Sequence, residues 1–245
     1  MEPCFSKLKH YNGQINTHDL LKILAVITMT IDHFGYYHWA DETWLRIIGR
    51  MAAPLFFFVA GTAKHFTLST RLFIAALLIT CIDLSVKPGL HLDILINFIL
   101  IKGFLNAIKP DQISTQSLSI LYLLSVLFLI PLSVIIAYGS IGLLFAVSGF
   151  LISRQDSRGP SFMMLTTAAY FLKQGYTFSL FNQALDTMGL LIICLILIAL
   201  FSLYKAKTWP APRVLKNTGL FLSRYSLSIY VLQTGLGNLG FWSLL

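Results

Sequence analysis

The run QISTQSLSILYLLSVLFLIPLSVIIAYGSIGLLFAVSGFLIS, from Gln112 to Ser153, has no charged side chain in 42 positions. A bilayer crossing needs roughly 20 apolar residues, so this run is too long for one helix. Tyr138-Gly139-Ser140 offers a turn inside it, which predicts two short or tilted helices. The rest of the chain reads the same way. Of 245 residues, 56% are hydrophobic and only 11% charged, with a mean hydropathy of +0.75. A soluble domain carries about 25% charged residues, so an ordinary soluble protein is excluded. The expected fold is an all-α polytopic membrane helix bundle. Residues 1–19 form a polar cytoplasmic tail and residues 20–245 a single transmembrane domain.

Apolar windows fall at about 20–39, 47–63, 72–86, 92–108, 117–136, 139–153, 161–180, 187–204 and 219–241, predicting nine spans. The first run ends in Tyr36, Tyr37, His38 and Trp39 with no small-residue cleavage site, so it is expected to remain as an anchor. With the N-terminus in the cytoplasm, 14 of the 18 basic residues fall on inner segments and 4 (Arg46, Arg50, Lys87, Lys173) on outer ones. Nine spans then put the C-terminus outside. On this reading the net charge of +8 reflects topology, and no nucleic-acid partner is expected. Three scattered cysteines make neither a disulfide framework nor a metal cluster, and no metal is expected. No Walker loop, dinucleotide fingerprint or internal repeat is visible.

Chemistry is sought where polar groups resist burial. Asp32 and His33 lie well inside the first apolar run, where an ionisable residue is costly unless paired. Neighbours on a helix diverge by about 100°, so the two need separate partners. His33 shares a stripe with Met29, Thr30 and Tyr37, and Asp32 shares one with Thr28, Met29, Gly35 and Tyr36. A hydrogen-bonded structural histidine is the plain alternative. The second constellation is Gly49-Arg50-Met51-Ala52-Ala53-Pro54-Leu55-Phe56, closed by Gly61. Pro54 has no N–H, so the Arg50 carbonyl loses its helical partner and the helix opens beside a guanidinium. Such breaks are tolerated where backbone lines a cavity or is buried in protein. Arg50 could equally snorkel to the outer interface, as Arg46 is expected to do, or form a structural ion pair with Asp32. Asp19 is expected to cap the first helix, with Thr17 and His18 outside it. Ser226, Tyr230 and Gln233 give the last helix a polar stripe that either bonds another helix or lines a site.

These motifs resemble the TraX family of membrane proteins, associated with N-terminal acetylation of conjugative pilin. The resemblance rests on Asp32-His33-Phe34-Gly35, on Gly49-Arg50 with Pro54 and Phe56, and on Gly61. Asn97 and Tyr138-Gly139-Ser140-Ile141-Gly142-Leu143-Leu144 are similar as well. The last helix departs from the pattern, having Ile229-Tyr230-Val231-Leu232-Gln233 where such proteins tend to place an aromatic pair and a histidine. More distantly the layout is similar to multispanning acyl-CoA-dependent acyltransferases of sugars, including heparan-glucosaminide N-acetyltransferase, an analogy of fold only.

The resemblance implies an integral-membrane acetyltransferase of the bacterial inner membrane that uses acetyl-CoA as co-substrate. The acceptor would be an amine such as a pilin N-terminus or, alternatively, a hydroxyl of a glycan or lipid. His33 is then the candidate base, Asp32 a group that fixes a polar neighbour or stabilises a cation, and Arg50 the partner of a developing oxyanion. Direct transfer and an acetyl-histidine intermediate both stay open. Lys102, Asn97, Lys109, Arg154 and Arg158 are candidates for holding the donor at the inner face, although Lys102 could be merely a snorkelling lysine. Tyr36, Tyr37, Tyr230 and Gln233 are candidates for the acceptor site. The other functional class is a non-catalytic or transport protein in which Asp32, His33 and Arg50 form a relay, and the absence of a repeat counts against it.

Overall fold

The computed structural model of the protein describes residues 14–38, 43–63, 65–86, 92–108, 113–177, 184–204, 208–210 and 213–239. It is all-α apart from one two-stranded ribbon. In chain order come β1 (Gln14–Asn16), α1 (Thr17–His38), α2 (Thr43–Gly49), α3 (Ala52–Gly61), α4 (Thr70–Val86), α5 (Ile94–Ile108) and α6 (Thr115–Leu127). They are followed by α7 (Leu129–Ile135), α8 (Ile141–Ser153), α9 (Gly159–Thr177), α10 (Ala184–Ser202), β2 (Thr208–Pro210) and α11 (Arg213–Asn238). The helices track the apolar windows of the sequence.

Two windows contain broken helices, each explained by a proline. Pro54 leaves the Arg50 carbonyl unclaimed, and the chain passes through a turn at Arg50 and Met51 between α2 and α3. Pro131 likewise cannot donate to Leu127, and α6 and α7 meet at Phe128 with a 58° bend. Together α2 and α3, Thr43–Gly61, are long and apolar enough to cross a membrane, and the bent pair α6 and α7 passes the same test jointly. The helices Ile94–Ile108, Ile141–Ser153 and Asp186–Ser202 are apolar but shorter. Nine separate crossings are therefore not established by helix length and composition among the described residues.

The centre of the fold is α8, whose Ile141, Leu144, Phe145, Ala146 and Val147 are almost completely buried. It meets α3 at backbone distance. A Cβ on Gly61 would run into the Ala146 carbonyl, and one on Gly149 into the Phe58 carbonyl, so small residues on both helices permit the approach. Phe57 and Phe58 are core residues, and Phe58 stacks on Phe201 with ring centroids 4.0 Å apart. The outer faces are apolar instead of charged. Phe73, Leu77, Leu123, Leu127, Leu172 and Leu195 are all exposed. So many large exposed apolar side chains are unusual on a monomeric water-soluble surface.

The start of α1 differs from the sequence expectation. The cap is Asn16, whose Oδ1 accepts the Asp19 N–H at 2.7 Å, so Thr17 and His18 lie inside the helix. Asp19 instead accepts a hydrogen bond from Ser223 on α11 at 2.6 Å. Residues 14–16 of the predicted tail are ordered as β1, antiparallel to β2 with Ile15 opposite Trp209. This ribbon joins the segment before α1 to the segment before α11.

Candidate functional site

The site begins where α2 crosses α1. Gly49 faces Asp32 so closely that an added Cβ would collide with the Asp32 side chain. This approach brings two guanidinium groups to one carboxylate: Arg46 Nε and Arg50 Nη2 each lie 3.6 Å from Asp32 Oδ1. Arg46 thus does more than snorkel, since it also lies over the Tyr36 ring at 4.7 Å. The opened Arg50 carbonyl accepts the Tyr170 hydroxyl at 2.7 Å, which satisfies the group that Pro54 leaves unpaired. The Arg50 side chain also hydrogen-bonds Tyr138. Tyr138 and Gly139 both have left-handed backbone, φ 66° and 52°. For a tyrosine this conformation is strained, and Asn97 clamps it by donating to the carbonyls on either side, Ala137 at 2.8 Å and Gly139 at 2.9 Å.

His33 is oriented from α11. Its Nδ1 lies 3.2 Å from Gln233 Oε1, and Gln233 Nε2 donates to Thr30 Oγ1 at 2.9 Å. The Thr30 hydroxyl donates to the Val26 carbonyl at 2.9 Å, so toward Gln233 it can only accept. That ordering fixes the amide. Its oxygen must face His33, Nδ1 must carry the proton, and Nε2 keeps a free lone pair. The rings of Tyr37 and Tyr230 flank the imidazole at 6.3 Å each.

A cavity of about 420 Å³ runs along α1, lined at one end by His18, Lys22 and Lys102 and at the other by Asp32, His33 and Gly49. From His18 to His33 the helix rises by about 20 Å. Tyr138, Tyr230 and Asp93 also line it. Asp93 is buried at 8% exposure, with Oδ1 accepting the Leu95 N–H at 2.9 Å and Oδ2 accepting the Tyr230 hydroxyl at 2.5 Å.

The predicted residues are thus divided. Asp32, His33, Tyr230 and Lys102 share the cavity wall. Arg50 stands behind that wall, against Asp32 and Tyr138. Gln233 and Tyr37 touch His33, whereas Tyr36 belongs to Arg46. Asn97 spends its amide on the Tyr138 turn, away from the wall. Arg154 lies over the Phe150 ring at 5.3 Å, and Arg158 is paired with Asp156 at 2.6 Å and with the Ile113 carbonyl at 3.0 Å. Both belong to the connection between α8 and α9. Lys109 lies outside the described residues. Sequence reasoning missed Asp93, Tyr138 and Tyr170 as site residues, and it set His18 aside. An aspartate just before an apolar run, at the position of Asp93, was a usable signal for a cap, but nothing local pointed it at Tyr230.

The protein thus falls in the class of helical bundles with a cavity, here one that joins a basic end to a half-buried, oriented histidine. Residues 17–234 match the TraX protein family, and the chain belongs to that family, which is associated with the processing of conjugative pilin. A further relative is an uncharacterized protein of Rickettsia prowazekii (strain Madrid E), 50% identical over 62 residues. That match spans 25% of this chain and 25% of the relative's length. No solved structure matches.

Proposed function

We propose that the protein is an integral-membrane acetyltransferase that moves an acetyl group from cytoplasmic acetyl-CoA to an acceptor amine such as a pilin N-terminus. The observation that carries this reading is the cavity with cations at one end and His33 at the other. Its lining suits a donor with anionic phosphates and a long arm. Lys22, Lys102 and His18 would hold the phosphates, and the rest of the cavity would hold the arm. The apolar exterior and the 14 to 4 division of basic residues support an inner-membrane location with the N-terminus inside and lipid around the bundle.

Acetyl-CoA, when bound, supplies an activated acetyl thioester. His33 Nε2 removes the proton from the acceptor ammonium, whose ordinary pKa of roughly 7.7 to 8.0 makes that step necessary. The carbon–nitrogen bond then forms and the carbon–sulfur bond breaks; the second nitrogen proton passes to the departing thiolate, which leaves as thiol, and His33 returns its own proton to solvent. Gln233 keeps the Nδ1 proton in place throughout. Asp32 lies beside the imidazolium as it forms. Tyr138, accepting from Arg50, has its own hydroxyl proton to donate to charge on the reacting carbonyl oxygen. Arg50 is then a positioning residue, acting through Asp32 and Tyr138.

The test is incubation of detergent-purified protein with radiolabelled acetyl-CoA and an acceptor peptide. Release of thiol with transfer of label to the peptide is expected. A protein that binds acetyl-CoA but yields neither would return the site to the class of relays and transporters.

A further inference from the structure

Two carboxylates line the cavity, and they are not alike. Asp32 faces two guanidinium groups at 3.6 Å. Asp93 has no cationic partner among the described residues, although it is buried and lines the cavity. It caps the N-terminus of α5 through Leu95, where the helix dipole favours an anion, and it accepts the Tyr230 hydroxyl. Tyr230 in turn presents its ring to His33 at 6.3 Å. The cavity that Asp93 lines also carries Phe56, Phe98 and Tyr138 on its wall. A carboxylate set among aromatic faces is the chemistry that recognises an organic ammonium ion.

We infer that Asp93, held by Tyr230 and the start of α5, is the cation seat of the cavity and takes the ammonium group of the acceptor before His33 deprotonates it. The ligand class is a primary ammonium on an apolar chain, such as a peptide N-terminus. This assignment rests on the acetyl-transfer reading for its consequence, but the seat itself is a binding site and can be tested apart from turnover. It also favours an amine over a hydroxyl acceptor, since a neutral hydroxyl would leave Asp93 without its counter-charge.

The probe is a short apolar peptide amide with a free N-terminal amine, compared with the same peptide N-acetylated, both titrated into detergent-purified full-length protein at pH 7. The free amine is mostly protonated there. Wild-type protein is expected to bind the free-amine peptide at least about tenfold more tightly, because only that peptide carries the charge. Asp93→Asn keeps a good helix cap and removes the charge. It should abolish the discrimination while acetyl-CoA binding stays unchanged. Should that variant fail to fold, Asp93→Ser provides a second cap without charge, and the wild-type comparison stands alone. Equal binding of the two peptides by wild type, or discrimination retained without the Asp93 charge, would overturn the inference. Discrimination without thiol release from acetyl-CoA would uphold the ammonium seat and remove acetyl transfer. Thiol release without discrimination would do the reverse.

Discussion

His33 Nε2 owes its availability to a chain of donors that begins at Thr30, and substitutions along that chain have graded consequences. His33→Gln keeps hydrogen-bonding capacity without usable basicity and should abolish acetyl transfer in a protein that still folds and inserts. Gln233→Leu should lower kcat by about 10- to 100-fold with the acetyl-CoA KM unchanged, because the base survives but its tautomer is no longer selected. Retained turnover in the His33→Gln protein would make the histidine structural. Arg50 calls for a different measurement. Its removal does not orphan Asp32, since Arg46 also lies at 3.6 Å, so the stability loss should fall below the about 3 to 5 kcal/mol typical of an unpaired buried charge. Arg50→Lys loses the planar fork that reaches both Asp32 and Tyr138. It should lower turnover strongly with little change in donor affinity, and normal turnover in a stable Arg50→Lys protein would remove Arg50 from the mechanism. Much of this was legible in the sequence. Asp32 and His33 announce themselves as ionisable residues in an apolar run, and Pro54 announces the open Arg50 carbonyl. The acceptors and donors that answer them were not legible, because Tyr170 and Gln233 lie 120 and 200 residues away and only packing joins them.

Between elements, close approach is set by glycine and by charged turns. Gly49→Ala places a methyl group against Asp32 and should destabilise the protein by about 1 to 3 kcal/mol, the usual range for overpacking. A thermal-melting comparison reads this directly, and an unchanged melting temperature would mean that α1 and α2 can part without cost. The connection between α8 and α9 carries a pH-dependent contact. The Arg158 guanidinium holds the Asp156 carboxyl below the usual carboxylate range. A depressed carboxyl contributes stability above its unfolded value, about 3.9, and that contribution is lost as pH falls through the lower folded value. The pair lies at the surface and is partly exposed, so Asp156→Asn should cost at most about 1 kcal/mol near neutral pH. The difference between the two proteins should vanish in strong acid, as measured by melting at a series of pH values. A difference that persisted there would show that Asp156 acts through its backbone hydrogen bond to Arg158 instead. The sequence foretold where helices lie because apolar windows end at polar clusters. It misplaced the cap of α1 because Asn16 and Asp19 are both competent caps and only the β1 pairing decides between them.

For the whole molecule, the proposed orientation in a bilayer is the property most open to a single measurement. Nine crossings with the N-terminus inside require a reporter fused after Leu245 to be active only outside the cytoplasm. Cytoplasmic activity would mean either an even number of crossings or an inverted bundle, and only the inverted bundle would reverse which end of the cavity faces the cytoplasm. Composition revealed an apolar exterior, but the path of the cavity depends on which helices are neighbours, and that order is not written in any one window. The pairing of the first helix with the last also has a consequence for biosynthesis. His33 leaves the ribosome 200 residues before Gln233 does, an interval of about 10 to 40 s at ordinary rates of synthesis. Until α11 and β2 emerge, α1 carries its aspartate and histidine without the strand and the amide that hold them in the finished protein. The nascent chain therefore has to keep a polar first helix in place through the making of every other helix. A chain cut short before β2 would retain Asp32, His33 and both arginines, and would lack both the orientation of its base and the ribbon with β1.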